Sequence, residues 1–328
     1  MIIYYFYIEG NSNKKGRFLG IYKATDNDVY HLHGDDAYNP NLPLKLIYRK
    51  RITPYKVYSS GVLEWIVLDK LPKYSSEIIW MLIYRKMKGK RGNTMLFPWE
   101  SQRLINMLAK ENDGKTINYN NYYFDKLNFK IINSCDCSEL NKFNLGSKIE
   151  LSFTKKDINS ETAFQGYILK NLEVPNNKFL YEIFGKNILW IGNEVFAGSG
   201  MQKIDIMTIE KIDETEYLYR IIELKYVKKL DDLKDLKRSY KQLEYYIMWC
   251  REDIGGHLRY CGKHNLKPIL FILDVNNNII KNGTCNLPKD LIKNILSLNK
   301  ISKSPEIWVM DMNGTVLKEE IYSKNSEN

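Results

Sequence analysis

The stretch that decides the fold of the C-terminal half is Tyr219-Arg220-Ile221-Ile222-Glu223-Leu224-Lys225. Successive side chains of a strand point to opposite faces, so Glu223 and Lys225 share one face. The apolar residues Ile222 and Leu224 share the other face. A carboxylate and an ammonium group therefore project together from a strand that is otherwise apolar. Glu223-Leu224-Lys225 is the only Glu-x-Lys tripeptide in the chain.

A second acidic residue occurs in the preceding strand-like run, 203–209. Asp205 is flanked there by Ile204 and Ile206, and a charge in an apolar strand needs a partner or a metal ion. A hairpin would set Asp205 beside Glu223. Two neighbouring carboxylates repel each other unless a cation joins them, and hard oxygen ligands select Mg²⁺, for which Mn²⁺ can substitute. The pair therefore predicts a divalent metal site.

The chemistry expected at this site is phosphodiester hydrolysis. A bound metal ion would lower the pKa of a water molecule and neutralise charge on the phosphodiester. Lys225 is suited to orient that water or to stabilise an oxyanion. The alternative is an ion-pair cluster on an ordinary sheet, with no catalytic role.

The elements around this strand predict an α/β domain with a central mixed sheet, because helix, strands, helix and strand follow one another. The predicted helices are 160–172, with Ser160 as its N-cap, and 230–251, which is amphipathic. The predicted strands are 188–191, 203–209, 217–227 and 268–273.

The acidic and polar residues on these elements resemble the PD-(D/E)XK nuclease superfamily. In chain order they are Glu161, Asp205, Glu223, Lys225, Gln242 and Tyr246. The spacing of Gln242 and Tyr246 resembles the Gln-x-x-x-Tyr motif of the branch with RecB-type nucleases, and i, i+4 geometry points both to one helix face. The run 191–205 is also similar to the Glu, Gly, Asp run of EndoMS/NucS-like nuclease domains. The resemblance covers about 160–274.

This resemblance implies a metal-dependent deoxyribonuclease. It implies that Asp205, Glu223 and the backbone carbonyl of Leu224 bind Mg²⁺. No proline precedes Asp205, which departs from the pattern in the superfamily's name.

The first acidic position of the superfamily has more than one candidate in this chain. Glu161, at the start of a predicted helix, is the first choice. Glu194 and Glu173 are the alternatives.

The N-terminal half alternates strand-like runs, such as 18–22 and 44–48, with turns, and it predicts a small β-barrel with helices at 76–85 and from Pro98. The run 16–25, with 42–46, resembles the EVE and YTH-like members of the PUA-like barrels. That resemblance implies an α+β domain that holds a modified base in an aromatic cage. Candidate walls are Trp65, Trp80 and Trp99, for each of which core packing is the alternative.

The charge of the chain points to a polyanionic partner. Its 49 basic residues exceed its 39 acidic ones, which gives a net charge of +10 and makes nucleic acid the leading partner on charge alone. The alternative is excess lysine that merely solvates the surface. With the nuclease resemblance, the expected partner is double-stranded DNA. The densest basic run supplies five candidate phosphate contacts, with a solvated loop as the alternative. These residues are Arg85, Lys86, Lys88, Lys90 and Arg91.

The chain is expected to form two domains, a recognition domain at 1–132 and a nuclease domain at 160–328, joined by a linker at 133–159. No apolar run approaches the length of a membrane span, and the apolar run 1–7 predicts a first strand rather than a signal peptide. We therefore expect a soluble, cytoplasmic protein with no membrane partner and with reduced cysteines.

The sequence thus predicts a restriction-type, Mg²⁺-dependent DNA endonuclease whose N-terminal domain recognises the site. One alternative is a repair or recombination nuclease that recognises a mismatch or a flap. Another is a non-catalytic nucleic-acid-binding protein with a degenerate nuclease fold. Cleavage of both strands would favour a homodimer with one site for each strand.

Overall fold

The computed structural model describes residues 3–8, 16–24, 29–31, 48–63, 66–67, 96–118, 122–125, 127–128, 130–133, 147–149, 154–172, 178–197, 202–251 and 263–319. The chain is an α+β protein with a mixed six-stranded sheet and smaller antiparallel sheets. It divides into two compact units. The first comprises Met1–Lys70 and Pro98–Ser152, and the second comprises Leu71–Phe97 and Phe153–Asn328.

The first unit is built mainly from short antiparallel strands. Its elements are β1 (Ile3–Ile8), β2 (Arg17–Ala24), β3 (Val29–His31), β4 (Tyr48–Arg49), β5 (Ile52–Lys56), β6 (Val62–Leu63), α1 (Pro98–Glu111), β7 (Tyr122–Asp125), β8 (Lys130–Asn133) and β9 (Ser147–Ile149). The buried residues Leu19, Val57 and Ile131 form a small core. Strand β9, which falls within the predicted linker, pairs with β3.

The second unit contains the six-stranded sheet and its helices. Its elements are α2 (Glu161–Asn171), α3 (Lys178–Phe184), β10 (Ile188–Phe196), β11 (Lys203–Lys211), β12 (Glu216–Val227), α4 (Asp232–Trp249), β13 (Lys263–Asp274), β14 (Ile280–Lys281), β15 (Thr284–Cys285), α5 (Lys289–Ser297), β16 (Glu306–Asp311) and β17 (Val316–Lys318). The two helices and four strands predicted for this half are therefore confirmed. Ser160 caps α2, since its side chain accepts a hydrogen bond from the Ala163 N–H at 3.2 Å.

The sheet of the second unit has the strand order β10-β11-β12-β13-β16-β17. Strands β10, β11 and β12 form an antiparallel meander, whereas β12, β13 and β16 are parallel. Parallel neighbours need a crossover connection, and α4 lies in the crossover from β12 to β13. Every residue of β16, and of β13 from Pro268 onward, is buried, so both faces of the sheet are covered there.

Helices α2 and α3 cover one face of this sheet. Their buried residues pack against Ile206, Ile222 and Leu224, among others. Because side chains alternate along β12, Glu223 and Lys225 project from the opposite face. Helix α4 packs against β12 and β13. None of the helices in the described ranges combines the length and apolar character that a membrane span requires.

Candidate functional site

The centre of the candidate site lies where β11 and β12 separate. The two strands pair up to Ile206 and Ile222, and one more step of that register places Asp205 opposite Glu223. Asp205 Oδ2 accepts a hydrogen bond from the Leu224 N–H at 2.7 Å. The Asp205 side chain therefore takes the place of a backbone ladder bond at this point.

The backbone of Leu224 also supplies an oxygen on this side of β12. The N–H and C=O of one strand residue point to the same edge of the strand. Because the Leu224 N–H meets Asp205, the Leu224 carbonyl points toward the same edge. The residues predicted to bind a metal ion are thus brought together around the end of the β11–β12 ladder.

Lys225 lies between two carboxylates. Its Nζ donates to Glu223 Oε1 at 2.6 Å and to Glu161 Oε2 at 3.5 Å. Glu161 is the first residue of α2, and its side chain is 45% exposed, whereas that of Glu223 is 2% exposed. The arrangement places the ammonium group between a buried acid and a solvent-accessible one.

The pKa values of the two central carboxyl groups are both raised above their ordinary values in the absence of a cation. Burial raises the pKa of Asp205 to about 6, against the opposing effect of the Leu224 N–H. Burial, together with the charge of Asp205, raises the pKa of Glu223 to about 8, while Lys225 opposes the shift. Burial lowers the pKa of Lys225, but Glu223 and Glu161 outweigh burial, so its pKa is raised overall. When both carboxyl groups are ionised, the site holds more negative charge than Lys225 alone balances.

One oxygen of Glu223 provides a direct test of whether a metal ion fits. Glu223 Oε2 is buried and has no hydrogen-bond partner in the described part of the chain. Such an oxygen is costly when ionised unless a cation lies beside it. Two carboxylates and a carbonyl oxygen are also the donor types that Mg²⁺ prefers. The residues present fit a divalent cation.

The described residues contain no group of three or more His, Cys, Asp and Glu side chains arranged to hold a metal ion. The fit described above needs only two such side chains, Asp205 and Glu223, together with the carbonyl of Leu224. Glu161 accepts a hydrogen bond from Lys225.

Gln242 and Tyr246 lie on α4. Tyr246 contacts β11, the strand that carries Asp205, and Gln242 contacts Tyr246. The Tyr246 hydroxyl donates to the Lys203 carbonyl at 2.6 Å, and the Gln242 side chain hydrogen-bonds to Tyr246. Burial raises the pKa of Tyr246, and the charges of Glu223 and Asp205 add to this effect. Tyr246 therefore stays neutral and acts as a hydrogen-bond donor that ties α4 to β11.

A buried glutamine that the sequence prediction missed also holds Asp205. Gln165 of α2 donates through Nε2 to the Asp205 carbonyl at 2.6 Å. Its only signal in the sequence is its position four residues after Glu161, which places both on one helix face. Gln165 and Tyr246 thus fix the backbone of β11 from two different helices.

Strand β10 adds a further acid, Glu194, and β11 adds a further cation, Lys203. Register pairs Asn193 with Ile206, so Glu194 falls opposite Asp205. Glu194 has a φ of 52°, in the left-handed region. Its carboxylate accepts a hydrogen bond from Lys203 Nζ.

The structure leaves both described candidates for the first acidic position near Asp205, since the charges of Glu161 and Glu194 both raise its pKa. Glu194 lies across the strand from Asp205, and Glu161 contacts Lys225. The third candidate, Glu173, lies outside the described residues.

The predicted base pocket and basic run fall largely outside the described residues. Trp99 is the second residue of α1, but its side chain is among the parts not described. Trp65, Trp80 and the cations Arg85, Lys86, Lys88, Lys90 and Arg91 also lie outside the described ranges.

Comparison with protein-family models, curated proteins and solved structures finds no match to this chain. What can be said of its chemistry therefore rests on the geometry of the site and on the order of its sequence motifs.

Proposed function

We propose that the protein is a metal-dependent deoxyribonuclease with Asp205, Glu223 and Lys225 at its catalytic centre. The observation that carries this proposal is the buried pair of carboxylates at the end of the β11–β12 ladder, with Lys225 hydrogen-bonded to one of them. The pair has too few hydrogen-bond donors to balance the charge of two ionised carboxylates. Its Glu223 Oε2 accepts no hydrogen bond from any described residue.

Two other buried carboxylates of the same unit show what a structural ion pair looks like in this protein. Glu210 accepts from the Lys186 and Asn187 N–H groups and from Arg220, and its pKa is lowered despite burial. Glu306 accepts from two lysines and a tryptophan, and its pKa is also lowered despite burial. Glu223, by contrast, has a buried oxygen with no hydrogen-bond partner in the described part of the chain, and its pKa is raised. This difference argues against an ordinary ion-pair cluster.

The order of elements also supports a PD-(D/E)XK domain. Helix α2, the meander β10–β12, helix α4 and strand β13 follow the order that the sequence motifs predict. The acids lie on β11 and β12, and Gln242 and Tyr246 lie on the next helix.

Each residue of the site has a distinct task in hydrolysis. A Mg²⁺ ion, when bound, supplies an activated water and neutralises charge on the phosphate. Asp205 and Glu223 would hold the ion through their carboxylates, and Leu224 would hold it through its carbonyl. Lys225 orients the attacking group or stabilises the developing oxyanion through its ammonium. Glu161 contributes by keeping Lys225 in place.

We further propose that the substrate is double-stranded DNA and that the first unit contributes to site recognition. A phosphodiester is the same at every step of DNA, so the metal centre cannot select a site by itself. The net charge of +10 favours a polyanionic substrate. A restriction-type endonuclease acting as a homodimer would cut both strands, whereas a repair enzyme would require a mismatch or a flap.

Isosteric variants test the catalytic proposal. We expect Asp205→Asn and Glu223→Gln each to lower Mg²⁺-dependent cleavage by more than about 100-fold, since even outer-shell partners of a metal contribute about 10- to 100-fold. Asn keeps an acceptor for the Leu224 N–H, and neither variant removes a cation. DNA affinity should therefore be retained. Glu214→Gln is the control, because Glu214 lies in the adjacent turn and its side chain is 93% exposed.

The readout is digestion of methylated and unmethylated duplexes with Mg²⁺, followed by sequencing of the ends. Undiminished cleavage by either variant would exclude this catalytic centre. Cleavage only of mismatched or flapped duplexes would favour the repair class over the restriction class. Binding without cleavage under any of these conditions would favour a degenerate nuclease fold.

A further inference from the structure

Lys203 lies on the same face of β11 as Asp205. The two residues are separated by one position, so alternation puts both side chains on the face that carries the candidate site. Two residues of an antiparallel strand advance about 6.8 Å, which places the Lys203 side chain beside the centre rather than within it. A ligand that extends past Asp205 along β11 would therefore meet Lys203 next.

The ammonium group of Lys203 has donors to spare. A lysine Nζ carries three N–H donors, and in the described part of the chain Glu194 is its one hydrogen-bond acceptor. The ring of Phe196 lies 5.7 Å from the same nitrogen. The Lys203 side chain is 23% exposed, so the remaining donors can reach a ligand from solvent. Lys225, by contrast, is shared between two carboxylates.

The position of Lys203 is held from two sides. Its carbonyl accepts the Tyr246 hydroxyl at 2.6 Å, and its ammonium group donates to Glu194. The left-handed backbone of Glu194 is unusual for a residue with a side chain and is retained only where surrounding contacts enforce it. An ammonium group fixed in this way loses little further freedom when it binds an anion.

The charges on this face make a second cation necessary for any anionic substrate. Glu194, Asp205 and Glu223 form one row across three adjacent strands. Three carboxylates repel a phosphate, and a single divalent ion with Lys225 leaves little positive charge toward the outer end of the row. Lys203 stands at that outer end, beside Glu194.

We propose that Lys203 binds a backbone phosphate of the nucleic acid adjacent to the phosphate at the catalytic centre. This inference rests on the proposed nuclease function and adds a substrate contact to it. Lys203 contacts the substrate strand through the donors that Glu194 leaves free, and it contributes affinity and register rather than chemistry. The contact is with phosphate, so it is the same for every base sequence.

The test measures DNA binding by Lys203→Met as a function of salt. A fluorescent 20-base-pair duplex is titrated without added metal ion, so that no strand is cut. Loss of one phosphate contact should weaken binding about tenfold and reduce the slope of log K against log salt by about 0.9. Lys203→Arg should keep the slope, because the charge remains.

Two further variants separate a phosphate contact from a structural role. The double variant Glu194→Gln, Lys203→Met leaves no carboxylate without its lysine partner, and it should show the same loss of slope as Lys203→Met. Lys211→Met is the matched control, since Lys211 is on the same strand, pairs with Glu214 at 2.9 Å and lies far from Asp205. It should leave the slope unchanged.

The outcomes distinguish this inference from the proposed function. Wild-type cleavage in Mg²⁺ combined with an unchanged slope in both Lys203→Met variants would overturn the role of Lys203 alone. A reduced slope in a protein that does not cleave would support the contact and count against the nuclease. Absence of duplex binding together with absence of cleavage in Mg²⁺ by the wild-type chain would overturn both.

Discussion

At the scale of single residues, the raised pKa of Glu223 makes the stability of the metal-free protein depend on pH. The folded protein holds the Glu223 proton up to about pH 8 and the Asp205 proton up to about pH 6, whereas the unfolded chain releases them near 4.5 and 3.8. The folded state therefore binds more protons in this interval. We expect the free energy of unfolding to fall as pH rises from about 4 to 8.

Denaturant unfolding at a series of pH values checks this expectation. Glu223→Gln cannot ionise, so its curve should flatten above about pH 6 and retain only the contribution of Asp205 below that. Added Mg²⁺ should restore stability most at the high end of the range, because it binds the ionised carboxylates. Stability that rises steadily between pH 4 and 8 without metal would contradict the assignment.

Lys225 offers a second prediction at this scale. Lys225→Ala removes the group that orients water or stabilises the oxyanion but removes no metal ligand, so turnover should fall by about 100-fold or more while Mg²⁺ still binds. Calorimetry with Mg²⁺, compared with Asp205→Asn, gives the measurement. If both variants lose Mg²⁺ binding equally, Lys225 serves only to hold the carboxylates.

At the scale of elements, the buried pair of Glu210 and Arg220 joins β11 to β12 at a distance from the candidate site. Both side chains are 8% exposed. The backbone passes close by at Gly185, whose φ of 103° and nearness to both side chains leave no room for a Cβ. This pair thus links the two strands of the hairpin that carries Asp205 and Glu223.

We expect Arg220→Met to destabilise the protein by about 3 kcal/mol, because it leaves Glu210 as a buried charge with only backbone donors. The double variant Glu210→Gln, Arg220→Met should recover part of that loss, and chemical denaturation measures both. A single variant as stable as wild type would show that the pair contributes nothing to the hairpin.

The elements differ in how far sequence could predict them. Strand β12 and its neighbours were predicted because apolar alternation is visible locally, and the same alternation correctly put Glu223 and Lys225 on one face. Strands β16 and β17 were not predicted. Charged Glu306 opens β16, and its partners Lys267 and Lys318 come from other strands.

The part of the candidate site that depends on local strand alternation could be predicted from the sequence. The pairing of Asp205 with Glu223 follows from a simple hairpin. The contacts of Gln165 and of the pair Glu194 and Lys203 depend on helix packing, on strand register and on a left-handed residue. A single sequence specifies none of these directly.

At the scale of the whole molecule, the chain enters the second unit earlier than the predicted boundary at 133–159. Phe97 stacks on Trp190 with ring centroids 5.0 Å apart, and the Leu96 carbonyl accepts the Trp190 Nε1–H at 3.2 Å. Residues that precede α1 in the sequence therefore belong to the core of the second unit.

Phe97 is 1% exposed, so Phe97→Ala should destabilise the second unit by about 3–5 kcal/mol. Denaturant unfolding followed by tryptophan fluorescence provides the measurement. Leu127→Ala is the control, because Leu127 is 91% exposed. An equally small effect of both substitutions would show that the Phe97 contact does not support the unit.

This interleaving of the chain has a consequence for synthesis on the ribosome. At roughly 5–20 residues per second, the Phe97 ring waits roughly 5–20 seconds before Trp190 has been made. Strand β3 can pair with β4 early, but it waits longer than Phe97 does before its second partner, β9, has been made. Neither unit can close while only its first segment has been translated. The nascent protein therefore exposes apolar surface and an unpaired strand edge for many seconds. A chaperone that holds unfolded chains would act during this interval.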